Sequence, residues 1–369
     1  MRTSTRTRSA ALLLVLAMLL GVFGGCTRKG GAQEETASDT AAAQEDTPVF
    51  GASWQQVFGD KTLPAEGWLK PDEVGFYRTD ENGTPTVIVM TVDEMRSRLS
   101  ELGNLPRTHY FEDQLDERFG LLFSSFDMAL ELGSRSFALP TTLTARSASE
   151  AGSQIDATYP LYGTAFHYSV TKDLKDENGD QYHFMRVQIT DYTQEQIERY
   201  HEAVEECRKR VSFWEGMEEF PLAVVFYTSV TQNELDQSVL FDEDDQFVGW
   251  NLLYNLICND TAEASFSYPV GLYTLFNLAG IDCLYVDGTI AIDGSVEDTA
   301  WCIAKLGGSY YIFDPYVDSF LSADSGQFVL FGISDDAFPE VLRNPYKSYE
   351  GLLPDCPNSF QPEDPSHST

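Results

Sequence analysis

From Val49 to Asp191 the apolar positions come in short runs broken by turn-forming residues, a pattern that predicts strands. Thr86 to Val92 is a β-branched run that follows Asp80-Glu81-Asn82-Gly83. Phe166 to Val170 and His183 to Ile189 flank Asp176-Glu177-Asn178-Gly179-Asp180. Two hairpins are expected. One helix interrupts them, because Leu122, Phe126, Ala129 and Leu130 recur at helical spacing over Phe119 to Leu132. Helical spacing then takes over. Thr193-Gln194-Glu195-Gln196 has the capping-box arrangement, and Ile197, Tyr200, Val204, Cys207 and Val211 repeat at three and four residues. Tyr268, Leu272, Leu275, Phe276 and Ala279 form another stripe, closed by Gly280, and Leu284 to Val286 begins a strand. Ala300 to Leu306 and Tyr310 to Phe313 are two more strands, joined by Gly307-Gly308, a pair that permits the positive φ of a tight hairpin. The expectation is an α+β chain: a strand-rich part over 48–191, then a helix plus antiparallel sheet over 192–354 with its core at 250–321.

The N-terminus departs from this pattern. Arg2, Arg6 and Arg8 precede an apolar run from Ala10 to Phe23, which is short for a bilayer span of about 20 residues and reads as an export signal. It ends in Phe23-Gly24-Gly25-Cys26. Small residues directly before a cysteine resemble the lipobox of bacterial lipoproteins. That resemblance implies a signal peptide over 1–25, lipid on the Cys26 thiol, and a mature chain held at the cell membrane on its extracytoplasmic side. An uncleaved anchor, the alternative, also places the bulk of the chain outside the cytoplasm. Residues 26–47 hold no aromatic and several acids (Glu34, Glu35, Asp39, Glu45, Asp46), so they read as a flexible acidic tether. Residues 355–369, with Pro357, Pro362 and Pro365, read as a frayed tail.

Charge narrows the partners. The 369 residues carry 58 Asp plus Glu against 24 Lys plus Arg, a net charge of -34. Removal of the three leader arginines would make the mature chain more acidic still. Such a surface repels nucleic acid, which is bound through phosphate neutralisation. Acidity could attract cationic peptides, but its plainer use is solubility. After Cys26 five cysteines remain: Cys207, Cys258, Cys283, Cys302 and Cys356. An odd number cannot all pair, and no Cys-x-x-Cys occurs, so neither a disulfide framework nor a zinc site is expected. Cys207, Cys283 and Cys302 read as small buried hydrophobes. The acidic turns fail as calcium loops: with each Gly at the sixth loop position, the first is Arg78 or Leu174 and the last Val89 or Met185. His201 beside Glu198, Glu202 and Glu205, and the run Asp242 to Asp245, read as solvated surface. No metal and no cofactor are expected.

The segment from Trp250 to Leu321 resembles the transglutaminase-like core, the papain-related family whose nucleophilic Cys opens a helix and whose His and Asp come from successive strands. The matching residues are Ala279-Gly280-Ile281-Asp282-Cys283-Leu284-Tyr285-Val286 at the helix-to-strand join, Thr299-Ala300-Trp301 on the second strand and Asp314-Pro315 after the third. A gapless count back from Gly280 puts Tyr268 on the motif tyrosine. The resemblance covers roughly 70 residues, and upstream it is looser, matching multi-domain bacterial lipoproteins of this type. It implies a cleft for an extended peptide, protein or cell-wall ligand.

The departures from the pattern set the expected function. Ser265 stands at the nucleophile position and Thr299 at the imidazole position; only Asp314 keeps the family's residue type. A serine hydroxyl needs a base, and a threonine is not one. An aspartate that orients an imidazole has none to hold. No Cys lies between Cys258 and Cys283 and no His between His201 and His367, so a register error does not restore the pair. The expectation is a tethered binding protein with no intact catalytic triad. The first alternative is a cysteine peptidase or acyl transferase using a relocated Cys258. The second is a passive surface or assembly protein whose cleft is filled by Phe266 or Tyr268.

Overall fold

Both acidic turns close hairpins by the same local device. The Asp80 carboxylate accepts the backbone N–H groups of Asn82 and Thr84 at 2.9 and 2.8 Å. Asp176 accepts those of Asn178 and Asp180, each at 2.9 Å. An Asp that bonds its own loop offers the chain a turn without outside support. The structure, a computed structural model, describes residues 51–80, 82–160, 166–189, 193–236, 251–292, 295–325, 327–337 and 342–360. The export signal, Cys26, the tether, Asp242 to Asp245 and His367 lie outside these residues.

The first sheet follows a short ribbon of β1 (Ala52–Ser53) with β2 (Trp68–Leu69). It contains β3 (Glu73–Thr79), β4 (Pro85–Thr91), β5 (Ser136–Thr141), β6 (Phe166–Val170), β7 (Leu174–Lys175) and β8 (Gln181–Ile189), in the order β4-β3-β5-β8-β6 with β7 on β8. A two-residue parallel bridge joins β9 (Glu234–Leu235) to β10 (Thr261–Ala262). The second sheet is built from β11 (Cys283–Ile292), β12 (Ser295–Leu306), β13 (Ser309–Phe313), β14 (Phe331–Ile333) and β15 (Leu342–Pro345), ordered β14-β13-β12-β11-β15. Every pairing within the two large sheets is antiparallel. Together with the helices this makes an α+β fold.

The helices are α1 (Trp54–Phe58), α2 (Val92–Glu101), α3 (Phe119–Glu131), α4 (Ala145–Glu150), α5 (Gly152–Thr158), α6 (Gln194–Phe213), α7 (Glu219–Thr231), α8 (Leu252–Cys258), α9 (Ser267–Leu278) and α10 (Pro315–Ser325). The expected capping box opens α6: Thr193 accepts from the Gln196 N–H and the Gln196 side chain returns to the Thr193 N–H. The α3 stripe packs Leu122, Phe126, Ala129 and Leu130 against the first sheet with Phe137 and Val187. In the second half α9 is buried along its whole length and is surrounded by α6, α7, α8 and one face of β11–β13. The hairpin at Gly307-Gly308 has φ of 56° and 87°, the left-handed values that a two-residue turn requires.

The expected boundary at 191/192 falls between β8 and α6, and the sequence on either side of it is cross-bonded into one compact unit. Residues 104–112 make the seam. Thr108 donates its hydroxyl to Asp282 at 2.6 Å, and its N–H meets the Tyr273 hydroxyl at 3.1 Å. Asn104 donates to the Leu278 carbonyl at 3.1 Å, where α9 ends. Arg107 forks onto Asp127 through two 2.7 Å bonds and reaches Glu112 at 2.9 Å.

The tail expected to fray from Asp355 is docked as far as Phe360, a correction to the reading from proline content. Cys356 is fully buried, Ser359 bonds Ser334 at 3.1 Å, and Phe360 stacks on Phe220 with ring centroids 4.6 Å apart. Aromatic burial outweighs the disordering effect of Pro357.

Candidate functional site

The start of α9 is where the resemblance puts the family's nucleophile position, held here by Ser265. Pro at the third helical position is compatible with a first turn. The hydroxyl of Ser267 accepts the N–H groups of Glu263 and Ala264, each at 3.2 Å, which fixes the entering turn. Ser265 sits in that turn, half-buried. The helix rests on β12 through the Cys302 thiol, which meets the Pro269 carbonyl at 3.2 Å.

Register then decides where Thr299 goes. Side chains alternate along a strand, so Cys302, Ala300 and Asp298 share one face of β12 while Thr299, Trp301 and Ile303 share the other. Cys302 and Ala300 pack with the α9 core, whereas Trp301 and Ile303 belong to the core on the far side of the sheet. Thr299 therefore stands on the face away from α9, paired with Gly288. It is buried, and its Oγ1 has no hydrogen-bond partner. A buried hydroxyl without a partner costs stability that an isosteric methyl does not. Thr299→Val is accordingly expected to stabilise the protein by about 1 kcal/mol in urea unfolding; a loss of stability would show a partner for that hydroxyl.

Asp314 is fully buried at the end of β13, and its Oδ1 accepts the Val317 N–H at 2.9 Å. It caps α10, with Pro315 at the first helical position, which suits proline. Of the three expected triad-equivalent positions, Ser265 precedes α9, Asp314 caps α10, and Thr299 stands on the sheet face away from α9.

Aromatic rings meet between the two helix starts. Tyr268 and Tyr316 lie 5.8 Å apart, and the Tyr268 hydroxyl donates to the Asn233 carbonyl at 3.1 Å. Burial, with help from nearby Glu297, pushes the Tyr316 hydroxyl up to about 12. Phe266 packs partly buried against the same core.

Thiols and imidazoles are spread over other parts of the fold. Cys207, Cys283, Cys302 and Cys356 are buried and free. Cys258 is the exposed one, at the end of α8, and both its partial burial and the carboxylate of Glu206 push its thiol above the usual range. That is the reverse of nucleophile activation. His183 bonds the Leu143 carbonyl on the first sheet, and His167 lies exposed on β6. His109 meets Arg107 and Glu112 at 3.2 and 3.3 Å. Its neighbours Gly280 and Asp282 mark the C-terminal end of α9, about 18 Å from the start at 1.5 Å per residue.

No model of a known protein family and no curated protein matches this chain.

Two features at the site were missed from the sequence. Glu263, two residues before Ser265, is buried; one oxygen accepts the Asn255 amide and the other has no partner. Burial pushes its carboxyl up to about 7. The signal was present, since Glu263 is a lone acid between Ala262 and Ala264. The second feature is a cleft of about 550 Å³ along the seam, lined by Arg96, Asn104, His109, Asp113, Asn277 and Asp282 among others. It joins residues up to 186 positions apart in sequence, from Arg96 to Asp282, so no local pattern announces it. Among the described residues no group of three His, Cys, Asp or Glu is arranged to hold a metal.

Proposed function

We propose that this chain is an exported, membrane-tethered lipoprotein with a catalytically degenerate transglutaminase-like core, and that it binds a peptide or cell-wall ligand without cleaving or acylating it. The observation that carries this reading is what occupies the three positions: Ser265 and Thr299 bring neither thiol nor imidazole, Thr299 is buried on the sheet face away from α9, and the Asp314 carboxylate caps α10. Acyl transfer by this fold needs a nucleophile, a base and an orienting group in one line of hydrogen bonds. The order α9, β11, β12, β13 and the buried helix are what the family resemblance leads one to expect. Tyr268 and Tyr316 pack together between the starts of α9 and α10, and the polar seam cleft around His109 and Asp282 has the size of a ligand site.

The test is turnover. Purified protein is expected to leave peptide amides, aryl esters and amine-acceptor pairs unchanged, while cosedimenting with purified peptidoglycan or retaining an extended peptide. A thiol-reactive probe is expected to label Cys258 without affecting that retention. Turnover lost in Cys258→Ala would replace this reading with the cysteine-enzyme alternative.

A further inference from the structure

On the first sheet, far in sequence from the seam, Arg135 and Arg186 line a second cleft of about 250 Å³ together with Tyr77, Ser136, Gln188 and Asp60. Register explains their meeting. Tyr77, Ser136 and Gln188 form one row across β3, β5 and β8, and Arg186 stands two residues from Gln188 on the same face. The Arg186 guanidinium is held in place by neutral groups only: Nε donates to Ser136 Oγ at 3.1 Å and Nη2 to Gln188 Oε1 at 2.8 Å.

Among the described residues neither arginine has a carboxylate within ion-pairing distance, although the chain carries 58 acidic residues against 24 basic ones. Arg107, Arg118, Arg146, Arg199, Arg208 and Arg210 pair with acids, whereas Arg96 and Arg98, likewise without an ion pair among the described residues, are exposed to water. The one acid lining the cleft is already engaged. Asp60 accepts from the Thr62 N–H and hydroxyl at 2.8 and 2.6 Å and from the Tyr77 hydroxyl at 2.9 Å. Burial disfavours the charged form of Arg186; Tyr77 and the Asp60 carboxylate offset part of that, and the like charge of Arg135 adds a smaller opposing contribution. Two adjacent, partly desolvated guanidinium groups are costly to keep unless an anion completes them. The planar fork of arginine matches an oxyanion, and Arg186 lines the cleft with its Nη1 bonded to none of the described residues.

We infer that this cleft binds the oxyanion end of a small ligand, a phosphate or a carboxylate, between Arg135 and Arg186. The cleft is smaller than a whole ligand site, so it takes the anionic terminus of a molecule whose remainder extends into solvent. The inference is independent of the seam cleft and of the enzymatic state of the second half.

The experiment is calorimetric titration of the full chain, in a buffer free of phosphate and carboxylate, with methyl phosphate in one arm and acetate in the other. Saturable binding is expected with a Kd of about 1 mM or tighter at low salt in at least one arm, weakening as salt is raised. The tighter arm names the oxyanion. Arg135→Gln is expected to weaken it about tenfold while leaving the unfolding midpoint unchanged, because that side chain makes no hydrogen bond or ion pair among the described residues. Arg186→Lys is expected to retain binding, more weakly. Absence of saturable binding in both arms, or an affinity unaltered in Arg135→Gln, would overturn the inference.

Discussion

Replacing Asp127 with alanine is expected to lower stability by about 3–5 kcal/mol, the largest effect of any single substitution considered for this protein. The reason lies in the seam. Asp127 and Arg107 each keep only 4% of their side-chain exposure, and the carboxylate receives both arms of the guanidinium. It also takes the Tyr159 hydroxyl at 2.9 Å. Removing the acid strands a buried cation with Glu112 as its remaining charged partner and leaves the Tyr159 hydroxyl only the Phe123 carbonyl at 3.2 Å. Substituting both members, as in Arg107→Met with Asp127→Leu, is expected to recover most of the loss, since the desolvation penalty disappears together with the attraction. Urea unfolding of the three proteins measures both effects. A loss below about 1.5 kcal/mol in Asp127→Ala would mean that water reaches the guanidinium.

The second large effect concerns pH. Glu263 titrates near 7 when folded against 4.5 ordinarily, because it is buried. Between those values the folded chain keeps a proton that the unfolded chain has released, so this group's contribution is fully present below pH 4.5 and is lost as pH rises towards 7. The full shift corresponds to roughly 3 kcal/mol. Glu263→Gln is neutral throughout, and its stability relative to wild type should therefore climb by about 2–3 kcal/mol across the window and flatten above it. Asp287, raised to about 6 by burial, adds a similar slope in both proteins and cancels in the difference. A difference that stays constant with pH would show that Glu263 is not shifted.

The parts of the fold that were legible in the sequence are those whose cause is local. The Asp80 and Asp176 turns, the Thr193 capping box and the Gly307-Gly308 hairpin each carry their own hydrogen bonds or backbone preference within a few residues. Helix α7 was not seen, because Phe220 to Val230 is apolar on nearly every side and carries no helical period. Helix α10 was hidden behind Asp314-Pro315, a pair that reads as a strand end yet is also a sound cap and first-turn residue. At the candidate site the order of elements could be read, but the facing of Thr299 could not. One residue of register exchanges the two sheet faces, and the register of β12 is fixed by partners on both sides of it. The docked tail and the seam are likewise products of distant contacts.

The bond between Thr108 and Asp282 spans 174 positions. A ribosome must therefore emit more than half of the chain after Thr108 before that hydroxyl can find its acceptor. Until then residues 104–112 have nothing to dock on, and the first sheet waits with one flank bare. Ring closures this wide are assembled slowly. A polypeptide that delays its final shape in this way leaves its apolar surfaces exposed for longer, open to proteases and to association with other unfolded chains.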